Sequence, residues 1–188
     1  MNRKILLVGQ APSRSAGKER AFDGPSGRRL AKLAGIAFEE LFERFDTVNL
    51  LARWPGKHGG RYQYREKGDR FPIARAKRAA KKIKSGWWTY STVILCGSRV
   101  AKAFGIDGPA MSWHDAVKMV ETKHEIMFHH VRVLLLPHPS GCNIFYNSAL
   151  KRAMACIEIH RAMGVDIGDD RPVRRGTFAF PFEFKDVA

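Results

Sequence analysis

Four short apolar runs, separated by stretches of helical periodicity, constrain this chain more than any other feature. Residues 3–8 read as a buried strand that stops at Gly9, and residues 46–51 as a second. Residues 92–96 read as a third, ended by Gly97-Ser98, and residues 131–136 as a fourth, ended by Pro137. Between them fall helices. Residues 28–34 form one, with Ser26 as its cap and Gly35 as its stop. Pro72 suits the first turn of another, in which Ile73, Ala76, Ala80, Ile83 and Trp87 make an apolar stripe. A short helix covers residues 100–104. A last one covers 148–163, with Leu150, Met154, Ile157 and Arg161 on one stripe. Strands alternating with helices predict an α/β fold, a three-layer α/β/α sandwich around a central, mainly parallel four-stranded sheet. Ligands in such sheets sit beyond the C-terminal strand ends. Three loops are therefore candidates: after Val8, after Leu51 and after Leu136.

At 188 residues the chain suits a single domain, residues 1–188, with 166–188 as a C-terminal extension. Its 45% apolar residues are enough for a core. No apolar run is long enough to cross a bilayer. The run after Lys4 is too short for a signal-peptide core. The three cysteines, Cys96, Cys142 and Cys156, have no C-x-x-C spacing, which argues against a disulfide framework and fits a reducing cytoplasm. The expected protein is cytoplasmic and monomeric, with no membrane partner.

The net charge of +15 is unevenly spread. Residues 53–84 carry 12 basic and 2 acidic side chains, a net +10, whereas residues 166–188 are net −1. A charge so concentrated predicts a surface that meets phosphate, with nucleic acid as the simplest partner. Arg53, Lys57, Arg61, Arg65, Lys81 and Lys82 are the candidate phosphate contacts, and Tyr62 and Tyr64 are available for stacking.

Gly9-Gln10-Ala11-Pro12-Ser13, with Gly17-Lys18 beyond, invites a phosphate-loop reading that fails on two residues. Pro12 stands where a glycine is needed, and Glu19 where Ser or Thr would bind magnesium. His129-His130 lacks metal-ligand spacing, so no metal or other cofactor is expected.

Four segments, in order, resemble the uracil-DNA glycosylase superfamily. Gly9-Gln10-Ala11-Pro12 is similar to its first motif. Ala21-Phe22-Asp23-Gly24-Pro25-Ser26-Gly27-Arg28-Arg29-Leu30 resembles the P-F-x-G-x-x-G-x-x-L segment of the branch that usually carries an iron–sulfur cluster. Val48-Asn49-Leu50-Leu51 is similar to that branch's T-N-V-V strand, and His138-Pro139-Ser140 to the H-P-S of the second motif. The resemblance implies an enzyme that flips a nucleotide out of DNA and hydrolyses its N-glycosidic bond. It implies His138 as donor to the departing base, Phe22 as the stacking ring, Asn49 as reader of the base edge, and the backbone of Gln10 and Ala11 as contacts to base or water. The loop after His138 would probe the minor groove, with Ser140 and Asn143 as contacts and Ile144, Phe145 and Tyr146 as wedges.

The chain also departs from that pattern. The four cluster cysteines are missing. Ala11 stands where the best-known branch has a water-activating Asp, and Gln10 where the cluster branch has Glu. Asp23 is the nearest remaining carboxylate, and Gln10 can only orient water. Ser13 stands where the best-known branch has a Tyr that excludes C5 substituents. The expected activity is removal of uracil or a C5-modified pyrimidine, for repair or for defence against modified foreign DNA. A non-catalytic nucleic-acid-binding module on the same fold and a nucleotide-metabolising enzyme are the alternatives.

Overall fold

The computed structural model describes residues 4–13, 20–57, 70–115, 131–141 and 143–165. Its sheet has five strands: β1 (Ile5–Gly9), β2 (Phe45–Asn49), β3 (Thr92–Cys96), β4 (Trp113–Asp115) and β5 (Arg132–Leu136), in the order β2-β1-β3-β5-β4. All pairings are parallel except β4 with β5. The helices are α1 (Pro25–Ala34), α2 (Leu41–Arg44), α3 (Ile73–Lys84), α4 (Ser98–Ala103) and α5 (Ala149–Ala162).

Strand residues sort alternately into two cores, as the two-residue period requires. Leu6, Val8, Val93, Leu95, Val133 and Leu135 face α3 and α4, packing with Ala76, Ala80, Val100 and Trp87. Ile5, Leu7, Ile94, Cys96, Leu134 and Leu136 face the other way, packing with Leu30, Leu41, Ala155 and Ile159 of α1, α2 and α5. At β1, β3 and β5 both faces of the sheet are therefore covered, which is why these strands read as nearly unbroken apolar runs, whereas β2 is only partly buried. The α/β sandwich is as expected, with five strands in place of four. The additional strand, β4, is three residues long and only partly buried. Its place on the sheet edge is secured by side chains: the Arg132 guanidinium lies 4.3 Å from the centroid of the Trp113 ring, and Trp113 Nε1 donates to Glu158 Oε2. So short a segment has no periodicity to read.

Three local expectations are corrected. Helix α1 begins at Pro25, not Arg28, with Gly24 as the residue before it; Ser26 lies inside the first turn and caps nothing. Proline takes this position readily because the first helical N–H has no partner to lose. Helix α3 ends at Lys84. Ser85 Oγ donates to the Lys82 carbonyl, and Trp87 enters a separate short turn where it stacks on Phe104 at 4.9 Å. On α5 the buried face is Ala153, Ala155 and Ile159, while Leu150 and Met154 are 58% and 44% exposed. Small side chains let α5 approach α1 closely, so the largest apolar residues did not mark the inner face.

Helix α1 shows a steric choice that can be tested. A Cβ on Gly27 would collide with the Phe22 carbonyl and come 3.0 Å from Phe38 Cε2. Alanine otherwise gains about 1 kcal/mol over glycine inside a helix. Overpacking costs about 1–3 kcal/mol, and here the neighbour is backbone. Gly27→Ala is expected to lower unfolding free energy in urea; equal or higher stability would contradict the contact.

Candidate active-site cleft

The C-terminal ends of all four parallel strands open into one cleft of about 600 Å³. Pairing continues past the strand ends: Leu50 N–H donates to the Gly9 carbonyl and Leu51 N–H to the Gln10 carbonyl, both at 3.0 Å. The loop after β1 is thereby tied to the chain after β2. Gly97 N–H donates to the Leu136 carbonyl at 2.7 Å, which ties the end of β3 to β5 in the same way.

Gln10, Ala11, Ser13, Phe22, Asp23, Asn49, His138 and Ser140 all line this cleft. Phe22 and Asn49 converge over Gly9. A Cβ there would collide with Asn49 Oδ1 and lie 2.9 Å from Phe22 Cζ. Glycine at the end of β1 is thus what lets an amide and a ring meet at the cleft floor. Phe22 itself has φ 65°, a left-handed backbone that costs a non-glycine residue about 1–3 kcal/mol. Strained residues of this kind cluster at functional sites. Asp23, exposed at the cleft mouth, is the one acidic side chain among the described lining residues.

His138 follows β5. Ser140 N–H lies 3.2 Å from His138 Nδ1. A backbone N–H can only donate, so Nδ1 accepts, and in the neutral ring the proton resides on Nε2. The ring packs against Gly97, whose φ of 103° suits glycine and whose added Cβ would stand 3.1 Å from His138 Cβ. Asn143 Nδ2 donates to the His138 carbonyl at 2.8 Å, while its Oδ1 accepts from Phe145 N–H at 3.0 Å. The Asn143 amide thus holds the loop with one bond at each end.

The three wedge candidates divide sharply. Ile144 is 81% exposed. Phe145 is half-buried and packs edge-on against Tyr146, with ring centroids 5.2 Å apart. Tyr146 is only 4% exposed and donates its hydroxyl to the Pro137 carbonyl at 2.7 Å. Burial pushes the Tyr146 phenol well above its ordinary range, reinforced by the Cys96 sulfur and opposed by the Arg29 guanidinium. The hydroxyl thus keeps the proton it donates. Tyr146 is a core residue rather than a wedge, because its ring is enclosed and its polar end has an internal partner.

Among the basic candidates, Arg53 and Lys57 are exposed in the segment after β2, while Arg61 and Arg65, with Tyr62 and Tyr64, lie outside the described residues. Lys81 and Lys82 are exposed, but in the last turn of α3. Neither lysine lines the cleft. Conversely, Arg20, Ser98 and Arg99 line it and were not anticipated. For the last two the signal was present: Gly97-Ser98 ends the third strand as Gly9-Gln10 ends the first.

Contact through Gly9 can be measured. Gly9→Ala should destabilise the fold by about 1–3 kcal/mol, and Asn49→Ala should relieve part of that loss by removing the colliding amide. A double-mutant cycle in urea is expected to give a coupling of at least about 0.5 kcal/mol. Strict additivity would mean the two residues do not meet.

No helix among the described residues is long and apolar enough to cross a membrane. Compared with models of known protein families the chain matches none, and no curated protein matches it.

Proposed function

We propose that the chain is a monofunctional DNA glycosylase of the uracil-DNA glycosylase type, acting on uracil or a C5-modified pyrimidine. The observation that carries this reading is the convergence of Gln10, Phe22, Asp23, Asn49 and His138, from four separate segments, on one cleft at the strand ends. Each brings a function that base release needs. A flipped pyrimidine stacks on Phe22. Asn49 offers a donor and an acceptor to its Watson–Crick edge. As the bond between the sugar C1′ and the base nitrogen breaks, its electron pair goes to the base. His138 Nε2–H then donates to the base oxygen where that charge collects. Water adds to C1′ and gives up a proton, for which Asp23 is the available carboxylate, with Gln10 orienting the water.

Arg20, Arg53, Lys57 and Arg99 are the cations best placed to take the flanking phosphates, and exposed Ile144 is the side chain left to fill the vacated stack. Ser13 at the cleft leaves space where a ring would exclude a C5 group. The rival reading is a non-catalytic nucleic-acid-binding module. It draws on Asp23 being the one carboxylate along the described lining.

Abasic-site formation on duplexes carrying uracil or a panel of C5-enlarged pyrimidines tests the proposal. Activity on at least one is expected, and none at all favours the binding module. His138→Ala should slow base release by about 10²-fold or more with DNA affinity nearly kept, because the donor matters most as charge develops. Equal losses of affinity and turnover would assign His138 a structural role. Ser13→Tyr should suppress cleavage of C5-enlarged bases and spare uracil. If about five phosphates are neutralised, log K should fall against log salt with a slope of about −4 to −5. A slope near zero would remove phosphate contact from the account.

A further inference from the structure

The loop that carries His138 is braced from outside by side chains. Pro137, His138 and Ser140 each have their carbonyl held: the first by Tyr146 Oη at 2.7 Å, the second by Asn143 Nδ2 at 2.8 Å, the third by Arg29 Nη1 at 2.6 Å. Arg29 belongs to α1, 111 positions away in sequence, and its guanidinium lies 5.5 Å from the centroid of the Tyr146 ring. The Ser140 carbonyl also accepts the Asn143 N–H at 3.1 Å. The N–H of this same Ser140 is the group that meets His138 Nδ1 at 3.2 Å.

We propose that Arg29 is a positioning residue that sets the tautomer of His138 by holding Ser140 in place. Of the bonds around Ser140, the one from Arg29 is short and charge-assisted, the strong kind. The one to Nδ1 sits at the long end of the hydrogen-bond range, where a small rotation of the Ser140 residue breaks it. The carbonyl and the N–H of Ser140 lie in neighbouring peptide planes joined at its Cα, so anchoring the carbonyl narrows the rotation open to the N–H without rigidly fixing it. With that N–H on Nδ1, the ring proton stays on Nε2. Without Arg29 the Ser140 carbonyl keeps the longer bond from Asn143 N–H, the contact of the Ser140 N–H with Nδ1 loosens, and the tautomer protonated on Nδ1 competes with the one protonated on Nε2. Lysine reproduces this only in part, since its ammonium cannot both reach the carbonyl as a planar fork and lie on the Tyr146 ring. The consequence for base release rests on the glycosylase reading; the consequence for the ring does not.

The test uses the full chain with Arg29→Met, Arg29→Lys and, as control, Arg28→Met. Arg28 is exposed on the same turn and lies over Phe38 at 4.9 Å, away from the loop. Nitrogen NMR of the His138 side chain reads the tautomer directly. Wild type and Arg28→Met are expected to show an unprotonated Nδ1 and a protonated Nε2. Arg29→Met should move the two signals toward each other, and Arg29→Lys should fall between. In the base-release assay, Arg29→Met should lower kcat by about 10-fold to 100-fold, with KM little changed, as a misplaced catalytic group does. Wild-type nitrogen signals in folded Arg29→Met, or in Arg29→Lys should the first variant unfold, would overturn the proposal even if wild type releases base. Shifted signals with no base release from any form would uphold the positioning role and overturn the glycosylase reading instead.

Discussion

Everything in this molecule hangs on the double burial of β1. All five of its residues are buried, and it is hydrogen-bonded on one side to β2 and on the other to β3. Leu6 and Val8 belong to one core, Ile5 and Leu7 to the other. A one-residue slip would exchange the two sets, and each packs against a different helix layer, so register is strongly specified. Register in turn decides which residues stand at the strand ends. Gly9 pairs with Asn49 because Ile5 pairs with Phe45 four residues earlier. The cleft is thus a by-product of core packing: hydrophobic burial deep in the sheet delivers an amide, a ring and an imidazole to one edge.

Strands β1, β3 and β5 are legible because nearly every position in them is apolar, as a core on both faces requires. What escaped was whatever depends on tertiary context. Helix α2, four residues long, has too few turns to show a period. The inner face of α5 is built on alanines, whereas periodicity weighs large residues most, so Leu150 and Met154 pointed outward against expectation. The loop after β3 also reaches the cleft, and Gly97-Ser98 carries the same strand-ending signal as Gly9-Gln10.

At the site, the backbone turns were more legible than the fate of individual polar and aromatic groups. Gly9, Phe22, Asp23, Asn49 and His138 are brought together as their places at strand ends and in a Gly-rich loop implied. The burial of Tyr146 and the loop-holding bonds of Asn143 are not legible, because sequence does not say whether a polar tip will find a backbone partner. Both do, within one loop: the Asn143 amide closes on His138 and Phe145, and the Tyr146 hydroxyl on Pro137. A run such as Ile144-Phe145-Tyr146 therefore holds an outward residue, a half-buried one and a core one in succession, separated only by the twist of a short turn.

The charge of α3 carries a kinetic consequence. Six of its twelve residues are basic and none is acidic. Its last-turn lysines do not line the cleft, and at physiological salt a charge is felt over about 8 Å. Were a polyanion seated at the cleft, such charges would add little to its energy, whereas one in free diffusion would also feel their field. The body of the molecule would thereby be a larger target than its cleft. For the proposed polyanionic substrate, capture and retention would then be governed by different cations, and lowering the salt would accelerate arrival far more than it would prolong residence.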